Sequence, residues 1–331
     1  MHAMNRKAVS LLSGGLDSLL ATKIIIDQDI EVLGVHFTSP LCNSIKDDAG
    51  QRAAMAGAEL GIDVFIRDKG DAYLDVIKNP RHGYGKNMNP CIDCRIYMLG
   101  LTRKLMLEED ASFIITGEVL GQRPMSQRRE TIHQIERESG LEGLILRPLS
   151  ARFFTPTLPE TEGIVEREQL LGISGRSRTA QYELVARYGL THFSRPGGGC
   201  LLTDPIYARK LKGALRRNPD CSMEDVRLLR MGRHFRIDES MLVIGRNQEE
   251  NEYLESHCRP PYSLLRPRGF KGPSGMIKGE ADARTITTAA HIIAFYAKKT
   301  TSPVTIEAWN GTTVQHEVEW APINPEEYSE E

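Results

Sequence analysis

Over the first half of this chain, apolar residues fall into two alternating patterns. Short continuous runs at residues 8–12, 31–37, 63–66, 113–116 and 144–146 have the length of buried strands. Between them, residues 19–26, 51–60 and 92–109 repeat with helical spacing. This alternation predicts an α/β fold: a parallel sheet with helices on both faces. Ligands of such sheets bind beyond the C-terminal ends of the strands, where Ser13, His36 and Gly117 would all lie. Further on come a helical stretch at 180–188, an Arg- and Lys-rich helical region from 207 to 236, and a mixture of short strands with one helix near 283–298. The expected organisation is a first domain over residues 1–205, a basic linker over 206–225 and a small α+β domain over 226–325.

The first strand and first helix are joined by Ser13-Gly14-Gly15-Leu16-Asp17-Ser18. A glycine pair lets backbone come close to a phosphate, and a helix N-terminus offers unpaired N–H groups and a positive dipole end. The Gly-Lys-Ser/Thr ending of the Walker loop is missing. These six residues resemble the SGGxDS loop of PP-loop ATP pyrophosphatases. That resemblance implies an adenine nucleotide alpha hydrolase-like fold and transfer of AMP to a substrate with release of pyrophosphate. It places Ser13, Gly14, Gly15, Asp17 and Ser18 at the ATP phosphates, with Asp17 sharing a Mg2+ ion. An acid there also suits the dipole of a helix start. His36 and Phe37, at the end of the second strand, are adenine contacts by position.

Bulk charge changes this picture little. The net charge of −2 gives no global signature for nucleic acid, so any RNA contact must come from local patches. Residues 1–7 carry no signal peptide and no membrane span follows, which predicts a cytoplasmic protein without membrane contact and with reduced thiols. Six cysteines in that setting read as metal, cluster or catalytic groups. Cys91-Ile92-Asp93-Cys94 opens a helical stretch, and a third cysteine, Cys200, follows Gly197-Gly198-Gly199. A CxxC pair alone is a zinc half-site, a redox pair or part of an iron–sulfur site. Three thiolates suit a cubane cluster with one open iron better than structural zinc, which closes with four ligands. A zinc site borrowing His82, Cys42 or His36 is the competitor, and a site without metal is the third reading. Cys42, Cys221 and Cys258 read as buried or incidental thiols. Asp93 is either an acid–base group or a helix-start acid.

Thr116-Gly117-Glu118-Val119-Leu120-Gly121-Gln122, followed by Ser126-Gln127, extends the resemblance. Together with the CxxC before it and Arg147-Pro148-Leu149 after it, this resembles the catalytic domain of the 4-thiouridine synthetase (ThiI) family over residues 7–205. The resemblance implies that Gly117, Glu118 and Gln122 frame the nucleotide. It makes Cys91, Cys94 and Cys200 the sulfur-transfer residues and ligands of a 4Fe-4S cluster carrying hydrosulfide, with Asp17 as the fourth catalytic residue. A persulfide on Cys200, resolved by Cys91 or Cys94, is the rival sulfur route. The implied partners are tRNA and a sulfur donor, either a cysteine desulfurase or free sulfide. The sequence departs from the family by the inserted Arg123-Pro124-Met125 and by Arg128-Arg129. The glycine loop stands close to the first residue, where the family's ferredoxin-like and THUMP segments would precede it, and no rhodanese segment is evident. A homodimer or a separate tRNA-binding subunit would then supply tRNA capture.

Leu242-Val243-Ile244-Gly245-Arg246-Asn247, with Glu250-Asn251 and then Gly272-Pro273-Ser274-Gly275, resembles the GRNxxxN signature of the NFACT-R module over residues 230–310. That module is associated with RNA binding; an ordinary dimerisation domain is the plainer account. Arg209, Lys210, Lys212, Arg216, Arg217, Arg227, Arg230, Arg233 and Arg236 form a basic bridge that would suit tRNA phosphates, unless they are simply solvated helix faces, and His234 and Phe235 within it either stack on a base or pack as buried side chains. The combined expectation is ATP-dependent thiolation of tRNA uridine, giving 4-thiouridine. The alternatives are a PP-loop ligase or sulfur-inserting enzyme acting on a small molecule, and an ATP-binding RNA adaptor.

Overall fold

Strand segments such as Lys7–Leu11 are apolar on both faces, and that is possible only in a sheet covered on both sides. The computed structural model describes residues 4–41, 48–194, 200–299 and 301–329. It divides into two compact units, Met1–Met223 and Glu224–Glu331.

The first unit runs β1 (Lys7–Leu11), α1 (Leu16–Ile26), β2 (Glu31–Thr38), α2 (Asp48–Leu60), β3 (Val64–Asp68), α3 (Tyr73–Lys78), α4 (Cys91–Glu108), β4 (Phe113–Ile115), α5 (Arg129–Ser139), β5 (Ile145–Leu146), α6 (Leu158–Thr161), α7 (Thr179–Tyr188) and α8 (Pro205–Arg217). Its five strands are all parallel, in the order β3-β2-β1-β4-β5. Alternate strand residues serve two cores. Ala8, Val32, Phe113, Ile115 and Leu146 pack with α1, while Val9, Val35, Ile114 and Ile145 pack with α4 and α5. Helices therefore lie on both faces, as the sequence predicts. Strand order reverses between β1 and β4, and this switch point opens a crevice beyond their C-terminal ends. Helix α1 is buried nearly all round, through Leu16, Leu19, Leu20, Ala21, Ile24 and Ile25, so its first turn is fixed firmly at that crevice.

The segment expected as a linker is mostly helix, α8, and as far as Met223 it falls within the first unit. Tyr207, Ala208 and Leu211 bury its inner face, and Asp204 caps it by accepting from the Tyr207 N–H at 2.7 Å.

The second unit follows α9 (Met223–Leu228) with β6 (Arg233–Ile237), β7 (Ser240–Ile244), α10 (Gln248–His257), β8 (Ser263–Arg268), β9 (Gly275–Lys278), α11 (Ala283–Tyr296), β10 (Val304–Trp309) and β11 (Thr313–Val318). Its strands form one antiparallel sheet in the order β11-β10-β8-β9-β7-β6. Helix α11 buries Ile286, Ala289, Ala290 and Ile293 against Phe235, Leu242, Ile244, Ile277 and Ile306. The sequence predicts one helix in this region and the structure has two, because α10 buries only Leu254 and leaves almost no apolar period to read.

The GRNxxxN residues are structural pins. Asn247 caps α10 by accepting from the Glu250 N–H at 2.9 Å, and Arg246 pairs with Glu250 (Nε–Oε1 3.0 Å). Asn251 Oδ1 accepts from the Ser274 N–H at 3.1 Å. A Cβ on Gly245 would sit 2.1 Å from that same oxygen, so the close approach requires glycine. His234 and Phe235 are both buried, so they pack in the core and present no stacking surface.

Candidate active site

The loop after β1 carries the geometry its sequence promises. Gly14 has φ +69°, and a Cβ there would lie 2.7 Å from the Arg52 carbonyl group of α2. Gly15 occupies the N-cap position of α1 with no side-chain cap, leaving the helix end open to an anion. Ser18 ties the turn together: its hydroxyl accepts from the Ser13 N–H at 3.2 Å, donates to the Gly15 carbonyl at 3.0 Å, and meets the Ser13 hydroxyl at 3.0 Å. From outside the motif, Ser194 clamps the Gly14 carbonyl with both its N–H (2.8 Å) and its hydroxyl (3.1 Å). Nothing in the sequence marks Ser194.

Asp17, expected to share Mg2+ with the phosphates, is already engaged. Gln122 Nε2 donates to its Oδ2 at 2.6 Å and Gln181 Nε2 to its Oδ1 at 3.4 Å, with Arg178 Nε 3.7 Å away. Gln181 also donates to Gln122 Oε1 at 3.2 Å. These contacts make Asp17 and Gln122 the joint between α1, the loop after β4 and α7. Gln181 carries no motif, and Arg178 reads from the sequence only as one of the arginines flanking the motifs.

Gly117 explains how the two loops meet. A Cβ there would stand 2.5 Å from Asp17 C and Ser18 N, so the chain after β4 lies directly against the first turn of α1. Glu118, expected at the nucleotide, points into the protein instead. It is 3% exposed and held by Arg95 Nε at 2.8 Å, Arg147 Nε at 3.0 Å and the Thr116 hydroxyl at 3.2 Å. Burial pushes its carboxyl up, but Arg95 and Arg147 outweigh that and hold it below the usual range. Phe37 is 8% exposed and packs in the α4-side core, so its ring is not offered to an adenine. His36, half-buried in β2, has Nδ1 3.2 Å from the Leu12 carbonyl oxygen, next to the loop.

Cys91 and Cys94 occupy the first turn of α4, both half-buried and both free thiols, as is Cys200. Burial pushes the Cys91 thiol up and Cys94 beside it acts the same way, against an Asn89 hydrogen bond and Arg123. Lys69 Nζ donates to Cys94 Sγ at 3.5 Å. Cys200 lies on a segment stitched to the loop before Cys91. The Met88 N–H donates to the Leu202 carbonyl at 3.1 Å and Asn87 Nδ2 to the Thr203 carbonyl at 2.8 Å. Cys200 Sγ itself lies 3.7 Å from the Leu41 carbonyl oxygen. Among the described residues no group of three or more His, Cys, Asp or Glu is drawn together as metal ligands. The glycine run 197–199, like Cys42, lies outside the described residues. Three thiols are the donor type a cubane cluster takes, and the bonds at Met88 and Asn87 tie the segment of Cys200 to the loop before Cys91.

His82 is not available to a zinc ion. Its Nδ1 lies 3.0 Å from Asp93 Oδ1 and its Nε2 3.1 Å from Glu138 Oε1. Asp93 also accepts from the backbone N–H groups of Arg81 (3.0 Å) and His82 (3.1 Å), so it is a clamp that holds the incoming loop on α4. Burial would lower the His82 pKa, but Asp93 and Glu138 prevail and raise it above the ordinary histidine range. A raised pKa stabilises the fold below the unfolded value, about 6.5, and that stability is lost as pH climbs through the folded value. The thermal midpoint of wild type should therefore exceed that of His82→Gln by roughly 1–3 °C near pH 6, for pairs of about 0.2–1 kcal/mol. Thermal scans from pH 6 to pH 9 should show the gap closing; a constant gap would contradict a charged His82. Cys221 and Cys258 are buried, and burial pushes the Cys258 thiol up to about 11, so both are inert.

Comparison with known proteins agrees with these two units. Residues 3–152 match the family model described as thiamine biosynthesis protein (ThiI), and residues 232–331 match that of the NFACT protein RNA binding domain. The chain is 30% identical over 117 residues to a probable tRNA sulfurtransferase of Methanothermobacter thermautotrophicus, covering 35% of this chain and 30% of that protein. It is also 30% identical over 117 residues to the tRNA-specific 2-thiouridylase MnmA of Pelobacter propionicus, covering 34% of this chain and 33% of the other. The chain thus spans about a third of the length of these curated relatives. Among solved structures it is similar to a 4-thiouridine synthetase in complex with RNA and bound ATP (20% identity, TM-score 0.40, 67% of this chain and 52% of that one). A second is the U34-tRNA thiolase NcsA of Methanococcus maripaludis with its 4Fe-4S cluster (17% identity, TM-score 0.33, 69% and 74%).

Proposed function

We propose that this chain, in which a ThiI-type domain is joined to an NFACT-type RNA-binding domain, thiolates uridine in tRNA at the expense of ATP. The observation that carries the reading is the open N-terminus of α1, which the glycine loop and Ser194 hold rigid in the same unit as the loops bearing Cys91, Cys94 and Cys200.

A uracil carbonyl oxygen is a poor leaving group, so sulfur can replace it only after activation. The N–H groups at the start of α1 and the Ser13 hydroxyl hold the nucleotide phosphates, and Gly14 and Gly15 permit the close approach. The uracil oxygen attacks the α-phosphorus, the bond from that phosphorus to the bridging oxygen breaks, and pyrophosphate leaves. The sulfur nucleophile then adds to the activated carbon, and AMP departs with the original uracil oxygen. Cys91, Cys94 and Cys200 would hold a 4Fe-4S cluster, which supplies an iron without a protein ligand at which sulfide can be presented. We assign sulfur to the 4-position because the TGEVLGQ segment resembles that of 4-thiouridine synthetases. The sulfur donor is then sulfide or a desulfurase that supplies it, in the cytoplasm where tRNA is modified.

Pyrophosphate release from ATP is expected to require tRNA. Release driven by small sulfur or amide acceptors alone would favour the ligase reading. Tight tRNA binding without release would favour an adaptor. For the cluster, about four iron and four acid-labile sulfide per chain after anaerobic reconstitution, lost in Cys200→Ala, is the expected content. Zinc, or no metal, would refute it.

A further inference from the structure

We propose that the exposed face of α8 is the surface on which the phosphate backbone of the RNA substrate docks, an inference that rests on the tRNA reading above. This helix lies between the two segments matched by family models, residues 3–152 and 232–331. From Pro205 to Arg217 it carries Arg209, Lys210, Lys212, Arg216 and Arg217 and no acid; Asp204 outside it is spent as the cap.

Arg209, Lys212 and Arg216 are exposed and spaced three and four residues apart, so they share one helix face. Like charges at that spacing repel and destabilise a helix. Several cations elsewhere are neutralised by an acid: Arg95 and Arg147 on Glu118, Arg167 on Glu160, Arg246 on Glu250, Arg268 on Glu307 and Lys278 on Asp225. Among the described residues, Arg209, Lys210, Lys212 and Arg216 have no ion-pair partner. The helix dipole favours cations in the last turn and so accounts for Arg216 and Arg217, but not for Arg209 or Lys212. A polyanion accounts for all of them.

Placement fits that occupant. The helix begins at the segment that carries Cys200 and is stitched to the loop before Cys91, so RNA lying along it is led to the cysteines. At its far end Lys78 bonds to the Pro219 carbonyl and the Met223 N–H donates to Asp71 at 2.8 Å, which holds the platform still. From Arg209 to Arg216 is about 10 Å along the axis, enough to reach more than one phosphate of a strand. A lipid surface fits poorly, because Tyr207, Ala208 and Leu211 already bury the apolar face in the helix's own unit.

The test is binding of unmodified tRNA by the full chain across a salt series, for wild type and an Arg209→Ala/Lys212→Ala/Arg216→Ala variant. The variant should bind at least about 10-fold more weakly near 0.1 M salt, with a slope of log K against log salt shallower by roughly 2 to 3. ATP affinity and thermal midpoint should be unchanged, showing that the fold is intact. Equal affinity and slope in a wild type that does bind tRNA would overturn the α8 proposal alone. A wild type that fails to bind tRNA would overturn the thiolation reading, and this proposal with it. Loss of binding to anionic phosphatidylserine vesicles with tRNA binding intact would assign the face to lipid and refute the RNA docking.

Discussion

Glu118→Ala should destabilise the first unit by about 3–5 kcal/mol, the cost of stranding a buried charge. The thermal midpoint should fall on the order of 10 °C. The carboxylate neutralises two guanidinium groups at once, and Arg147 is itself only 4% exposed, facing Glu118, Glu136 and the Phe154 ring. Alanine would leave Arg147 in the interior with half its partners gone, and would free Arg95 on α4 four residues from Cys91. Glu118→Gln, which keeps shape but not charge, should recover only part of the loss. The sign with pH is fixed by the depressed carboxyl: its contribution is full above the unfolded value, about 4.3, and is lost as pH falls toward the folded one. The gap between wild type and Glu118→Gln should therefore close in acid. A midpoint within about 2 °C of wild type at neutral pH would show that the pair is not buried as described.

Gly117→Ala should leave a folded protein that is about 1–3 kcal/mol less stable and lower kcat/KM for pyrophosphate release by about 100-fold. The new methyl group would meet backbone atoms at 2.5 Å, and backbone cannot rotate away as a side chain can. Either α1 or the chain after β4 must move, and both border the crevice beyond the C-terminal ends of β1 and β4. The Gln122 to Asp17 bond of 2.6 Å crosses the same junction and should break with it. Steady-state kinetics paired with a denaturation curve separates the two effects. Unchanged kcat/KM with a normal midpoint would mean that the junction does not set the geometry of the reaction.

Much of this arrangement could be read from the chain because local chemistry dictated it. Strands such as Phe113–Ile115 are continuous apolar runs, and the glycine loop announces a turn that only glycine at φ +69° can make. What escaped reading has physical causes. Helix α10 buries little more than Leu254 and α3 has only six residues, so neither has a period to detect. The roles of Glu118, Phe37 and Asp93 depend on which way a side chain turns, and motif spacing carries no such information. Glu118 and Asp93 were plausible at a reaction centre and proved to be an internal counter-ion and a loop clamp. Ser194 and Gln181 reach the loop from 180 and 164 residues away, through tertiary contact alone.

The most direct test of the account is nucleoside analysis of tRNA incubated with ATP, sulfide and anaerobically reconstituted protein, with pyrophosphate followed in parallel. The account predicts a thiolated uridine with wild type, and with Cys200→Ala continued tRNA-dependent pyrophosphate release but no thionucleoside. Wild type that releases pyrophosphate without tRNA and yields no thionucleoside would contradict it.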